Sequence, residues 1–184
     1  RNFAAGAPDS VQALRYGEEL QSELAVAGNE HPHVASEESR AYLGFNFIEW
    51  VLDGGEAAAR ARWGAQGRQG FLPRRFLRYV LQQERPDVVV TTNSPRSEQA
   101  AVEAAVALGI PCLSMVDLFA LRADHFALRP VHADRITVLT GVVRDNLVRA
   151  GIDASRIVVT GNPAFDEFLA PGAQAVGAAW RAGR

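Results

Sequence analysis

Asn93 and Ser94 stand directly after the β-branched run of residues 87–92, and Arg96 follows two positions later. Where a strand passes into a helix in this way, the first helical N–H groups can hold an anion or simply be capped, and a nearby arginine can pair a phosphate or face solvent. Asp117 closes the next apolar run, residues 110–116, and His125 lies in the segment after it. Asp117 suits a base that takes a proton from a hydroxyl, a loop cap or a ribose ligand; an imidazole titrating near neutrality suits proton transfer as well as plain solvation. Thr140 can cap a helix that starts after it. In Gly161-Asn162-Pro163, glycine permits a sharp turn, asparagine can bond locally and proline can start a helix, so the tripeptide serves either a turn or a ligand contact. The candidate catalytic residues are Asp117 and His125, and the candidate substrate-binding residues are Asn93, Ser94, Arg96, Thr140, Gly161, Asn162 and Pro163.

Other chemistries are excluded by what the chain lacks. All 19 basic residues are arginine. Without lysine there is no Schiff base, no pyridoxal-phosphate anchor and no P-loop lysine. Cys112 is the only cysteine, which rules out an internal disulfide and a multi-cysteine zinc site. His31-Pro32-His33 pairs two histidines, but no third ligand stands at metal spacing, so no metal is expected. No GxGxxG, GxSxG or HExxH motif occurs.

The elements that must position these residues are read from periodicity. Residues 135–139 and 156–160 are short β-branched strands. The segment between them places Val143, Leu147 and Ala150 on one helical face, with Asp145 and Arg149 as an i, i+4 pair and Gly151 as the terminator. A crossover this short should be right-handed and parallel. Residues 87–92 read as a strand buried on both faces, the small-sided stretch 100–108 as a close-packing helix capped by Ser94 or Ser97 and ended by Gly109, and 110–116 as the next strand. Two βαβ units then share one sheet, whose carboxyl edge should gather Asn93, Ser94, Asp117, Thr140 and Asn162. The long segment 118–132, with Asp124, His125, Arg129 and Pro130, lies at that edge.

Before this sheet the pattern is weaker. Residues 3–6 read as the tail of a strand, Ser10 to about Leu20 as a helix, and 24–27 as a short strand. Residues 36–62 read as two helices broken at Gly44 and at Gly54-Gly55, with Phe47, Trp50 and Val51 inward. Residues 60–85 carry Arg60, Arg62, Arg68, Arg74, Arg75, Arg78 and Arg85 against Glu84, a local charge of +6 (seven minus one). This stretch suits a solvated helix face, or a basic and aromatic patch that contacts an anionic membrane or an anionic substrate. The formal charge of −2 argues against nucleic acid as a partner. No run of about 18 apolar residues or signal peptide appears, so a cytoplasmic protein is expected, at most peripheral on the inner membrane face. The start at Arg1, with Met115 as the only methionine, suggests a processed product or part of a longer reading frame.

The succession PDVVVTT (86–92), LGIPCLSMVD (108–117), ADRITVLT (133–140) and NLVRAGIDASRIVVTGNPAFD (146–166) resembles the amino-terminal domain of glycosyltransferase-B proteins. It is most similar to the branch with UDP-N-acetylglucosamine 2-epimerases, lipid-A-disaccharide-synthase-like enzymes and bacterial polysaccharide glycosyltransferases, over about residues 72–168. The resemblance implies an α/β fold, a Rossmann-like parallel sheet with helices on both faces. It also implies an acceptor-side domain over 1–170, with 171–184 as linker and start of a carboxyl-terminal domain that binds the sugar nucleotide. The expected function is nucleotide-sugar-dependent glycosyl transfer in bacterial cell-envelope polysaccharide or lipopolysaccharide synthesis. The substrates would be a UDP-linked sugar and a glycan or lipid-linked acceptor, with no separate cofactor. Alternatives are a UDP-N-acetylglucosamine 2-epimerase and a non-catalytic sugar- or nucleotide-binding module. The 2-epimerases carry an acidic residue where this chain has Asn93, which favours transfer.

Overall fold

The computed structural model describes residues 3–26, 34–121 and 124–183. Its centre is a four-stranded sheet in the order β1 (Val89–Thr92), β2 (Cys112–Val116), β3 (Arg135–Val138), β4 (Ile157–Val159), every pair parallel. Helix α6 (Ser97–Leu108) connects β1 to β2, and α7 (Gly141–Arg149) connects β3 to β4. Gly109 closes α6 at φ 69°, the left-handed conformation that glycine adopts without strain. Thr140 caps α7 as its position suggests, its hydroxyl accepting from the Val143 N–H at 3.3 Å.

Register decides which side chains share a face. Thr91, Ser114, Ile136 and Ile157 lie side by side across the sheet and are all buried, as are Val116 and Val138 in the next row. Val102 and Ala105 of α6 pack with Val89 and Cys112; Val143 and Leu147 of α7 pack with Ile136, Val138 and Ile157. Inside this apolar layer the Thr91 and Ser114 hydroxyls satisfy each other at 2.9 Å. The alternate positions face outward, with Val90 53%, Met115 46% and Val158 48% exposed. The 87–92 run is therefore buried on one face, not on both.

In front of the sheet lies a helical layer: α1 (Phe3–Gly6), α2 (Ser10–Val26), α3 (Ser36–Gly54), α4 (Glu56–Gln66) and α5 (Arg74–Glu84). Residues 3–6 form a helical turn, not a strand. Residues 24–26, also expected as strand, continue α2, whose Ala13, Tyr16 and Leu20 form a buried stripe with Leu24 packed against it. Ala27 and His31-Pro32-His33 lie outside the described residues. Helix α3 runs unbroken through Gly44. A Cβ there would come 2.0 Å from the Ala13 carbonyl oxygen, and one on Gly17 would come 1.9 Å from that of Arg40, so these glycines let α2 and α3 touch backbone to backbone. The break at Gly54-Gly55 does occur, with Gly55 at φ 82°.

Helix α5 serves both cores. Phe76 stacks on Phe45 of α3 at 4.4 Å between centroids, while Leu81, supported by Leu77, packs with β1 and α6. Its outer arginines meet acids from elsewhere: Arg74 pairs with Glu103, and Arg75 with Glu49 and Asp53, both at 2.8 Å. In α4, Arg60 binds Glu19 and Glu23, and Arg62 lies over the Trp50 ring. Three of the seven arginines of the basic stretch, Arg60, Arg74 and Arg75, are thus answered by acids distant in sequence.

Candidate functional site

The turn after β1 is built from its own polar groups. Asn93 Oδ1 accepts from the Asp117 N–H at 3.1 Å, which ties the carboxyl end of β1 to that of β2. Ser94 N–H donates to Thr92 Oγ1, and the Thr92 N–H is taken by the Glu98 carboxylate. Neither Ser94 nor Ser97 caps α6. Its N-cap position is Arg96, at φ 65° and ψ −110° with no side-chain cap. A residue with a Cβ is rarely found there and is held only by its surroundings.

Those surroundings come from the loop between β2 and β3. Arg129, 8% exposed, reaches back across 36 residues, and its Nη2 donates to the carbonyls of Asn93 (2.6 Å) and Ser94 (2.9 Å). Its guanidinium lies 4.8 Å from the Phe126 ring centroid. Burial pulls its pKa below the usual arginine range, opposed by the charge of Asp124. The loop is pinned locally: Asp124 Oδ1 accepts from Phe126 N–H, His132 Nε2 meets the Phe126 carbonyl at 3.0 Å, and Asn146 Nδ2 donates to Phe119 O. Desolvation lowers the His132 pKa, opposed by the hydrogen bond to Phe126, whose carbonyl can only accept, so Nε2 is the donor.

Between the turn, this loop and residues 69–72 opens a cleft of about 740 Å³. Asn93, Arg96, Asp124, His125 and Arg129 line its polar part. Of the residues expected from sequence, Asn93, Arg96 and His125 are thus in the cleft. Asp117 is one hydrogen bond from it, and Ser94 belongs to the same turn. The carboxylate of Asp117 and the ring of His125 have no hydrogen-bond partner among the described residues. Thr140 and Gly161-Asn162-Pro163 end β3 and β4 at the same sheet edge but do not line the cleft. Gly161 turns at φ 76°, Asn162 Oδ1 accepts from Ala164 N–H, and Pro163 opens the 3-10 segment Pro163–Leu169. Of the site-building residues, Glu98 was passed over by sequence reasoning, and Arg129 was named only as part of the edge loop, without a role. Only the length of the edge loop signalled Arg129, and nothing signalled Glu98. Among the described residues no cluster of histidine, cysteine and acidic side chains could hold a metal ion, and no helix is long and apolar enough to cross a membrane.

The model of the glycosyl transferase 4-like domain family matches residues 14–163. That span includes α3 to α5, β1 to β4 and the whole cleft, and reaches well ahead of the stretch that carried the resemblance. No curated protein and no solved structure matches the chain. The sheet, the helical layer from α3 to α5 and the cleft they enclose all lie within one matched family, and the chain therefore belongs to the glycosyl transferase 4-like domain family and is a glycosyltransferase-type domain.

Proposed function

We propose that this chain is the acceptor-side half of a nucleotide-sugar-dependent glycosyltransferase of the GT-B type, with a UDP-linked donor, working in bacterial envelope polysaccharide synthesis. The observation that carries the reading is the cleft at the carboxyl edge of β1 and β2, where Asp117 and His125 stand beside a rigid, hydrogen-bonded turn. An acceptor hydroxyl in that cleft attacks the anomeric carbon of the donor. The new C–O bond forms as the bond to the nucleotide diphosphate breaks, and the hydroxyl proton passes to Asp117, with His125 as the second group within the same edge. The leaving diphosphate carries the charge that must be stabilised, and the donor-binding half supplies that stabilisation. Epimerisation is the weaker reading. Asn93 stands at the acidic position of the 2-epimerases, and its amide oxygen is engaged with the Asp117 N–H.

Calorimetry and a UDP-release assay on the 184-residue chain test the two-domain arrangement. The expected result is a folded protein that neither binds UDP-sugars tightly nor releases UDP. Tight binding with measurable UDP release would show that the donor site is complete within these residues and would overturn the half-enzyme reading.

A further inference from the structure

We propose that Arg129 is a positioning residue for deprotonation of the acceptor: by holding the carbonyls of Asn93 and Ser94 it fixes the Asn93 side chain and, through it, Asp117. This role deepens the reading above and rests on it, since Asp117 is there the group that takes the acceptor's proton.

Asp117 lies just past the sheet. The β2 ladder ends at Val116, opposite Val138, so strand pairing does not reach Asp117, and the residue is exposed, so core packing does not hold it. Its N–H is held instead by a side chain, Asn93 Oδ1 at 3.1 Å. Asn93 is itself the first residue beyond β1, whose ladder ends with Thr92 opposite Met115. Two residues that have both left the sheet are tied to each other, and the place of the pair is set from outside it.

Arg129 sets it from 36 residues further on. Its Nη2 donates to two successive carbonyls, those of Asn93 at 2.6 Å and Ser94 at 2.9 Å. One donor shared in this way orients both peptide planes and with them the direction in which the Asn93 side chain leaves the backbone. Arg129 Nε finds no acceptor among the described residues, so these carbonyls are the described hydrogen-bond partners of the buried guanidinium. Burial makes such a cation costly, and the charges of Asp124, Glu98 and Glu103 offset that cost from the loop and from α6. The guanidinium also lies against the Phe126 ring, which is buried and whose backbone is pinned by Asp124 and His132. The hold on the turn is thereby anchored in the core of the loop. A base acts only within hydrogen-bond reach of the hydroxyl, and a misplacement of about 1 Å can cost about 10²-fold in rate.

Amide hydrogen exchange in the 184-residue chain reads the link without substrate. R129Q should speed exchange of the Asp117 N–H about tenfold, as N93A does, while the β2 amides keep their parental rates. A parental Asp117 rate in R129Q would overturn the role. The lysine stem ends one bond short of Nη2, so R129K, read should R129Q not fold, should give a smaller increase in the same direction; a parental rate there would overturn the role equally. In the full-length enzyme, R129Q should lower kcat about 10–10²-fold with KM within about twofold, and should cost nothing further on a D117N background. Losses that multiply would mean that Arg129 does not act through Asp117, and a raised KM at unchanged kcat would place it against the substrate instead; either result overturns the proposal. Parental kcat in D117N would remove the base assignment and this role with it, whereas parental Asp117 exchange in R129Q beside an impaired D117N would remove this role alone.

Discussion

Asn93 acts here as an acceptor, since its amide oxygen joins the ends of β1 and β2 through the Asp117 N–H. Asn93→Ala should cost about 1 kcal/mol in urea unfolding by leaving that N–H unpaired, whereas Asn93→Asp, still an acceptor, should keep most of it. Equal losses in both variants would show that the bond contributes nothing. At this scale the sequence was readable wherever a role depends on near neighbours. Thr140 caps α7 because the group it accepts from lies three residues on, and Asn162 closes its own turn for the same reason. Arg129 was not readable, because its partners lie 36 and 35 residues earlier and only the folded loop brings them together. The expected pair of Asp145 with Arg149 gives way to Asp145 with Arg144 and Arg149 with Asn146. Exposed pairs of nearly equal energy exchange partners in this way.

Among the elements, Gly44 separates two forces of opposite sign. Helix propensity alone says that Gly44→Ala should gain about 1 kcal/mol. The contact with the Ala13 carbonyl says that α2 and α3 must be pushed apart, a loss of about 1–3 kcal/mol. We expect the loss to win, read as a lower midpoint in thermal or chemical unfolding; a more stable variant would mean that the two helices do not touch at this point. Read without its partner helix, the same glycine looked like a break. The strands from β1 onward were legible because β-branched runs bounded by turn residues carry their own signal, whereas the front layer is defined by contacts between helices. Glu49 of α3 is buried against Arg75, and desolvation raises its pKa, opposed by hydrogen bonds and charge from Arg75. Its folded-state pKa lies above the unfolded one, so the folded chain holds an extra proton between the two, and stability falls as pH rises through that window. Glu49→Gln should remove this fall from a stability–pH profile while keeping an acceptor for the Arg75 N–H. An identical slope in the variant would assign the fall to another group.

At the scale of the whole molecule, charge is balanced by the fold. The arginine-rich stretch of residues 60–85 read as a patch because its window excluded Glu19, Glu23, Glu49, Asp53 and Glu103, which arrive from α2, α3 and α6. Arg96, Arg129 and Asp124 share the cleft, where the front layer, the β1–α6 turn and the β2–β3 loop meet. The carboxyl edge of the sheet was foreseeable from strand order, but its division was not: Asn93, Asp117 and His125 gather at or beside the β1–β2 cleft, while Thr140 and Asn162 serve their own turns. In the proposed mechanism Asp117 receives the acceptor's proton. Its most direct test is steady-state turnover of the full-length enzyme carrying Asp117→Asn, with the melting temperature measured alongside. kcat should fall by about 10²–10⁴-fold at unchanged melting temperature, the contribution expected of a positioned base. An unchanged kcat would contradict it.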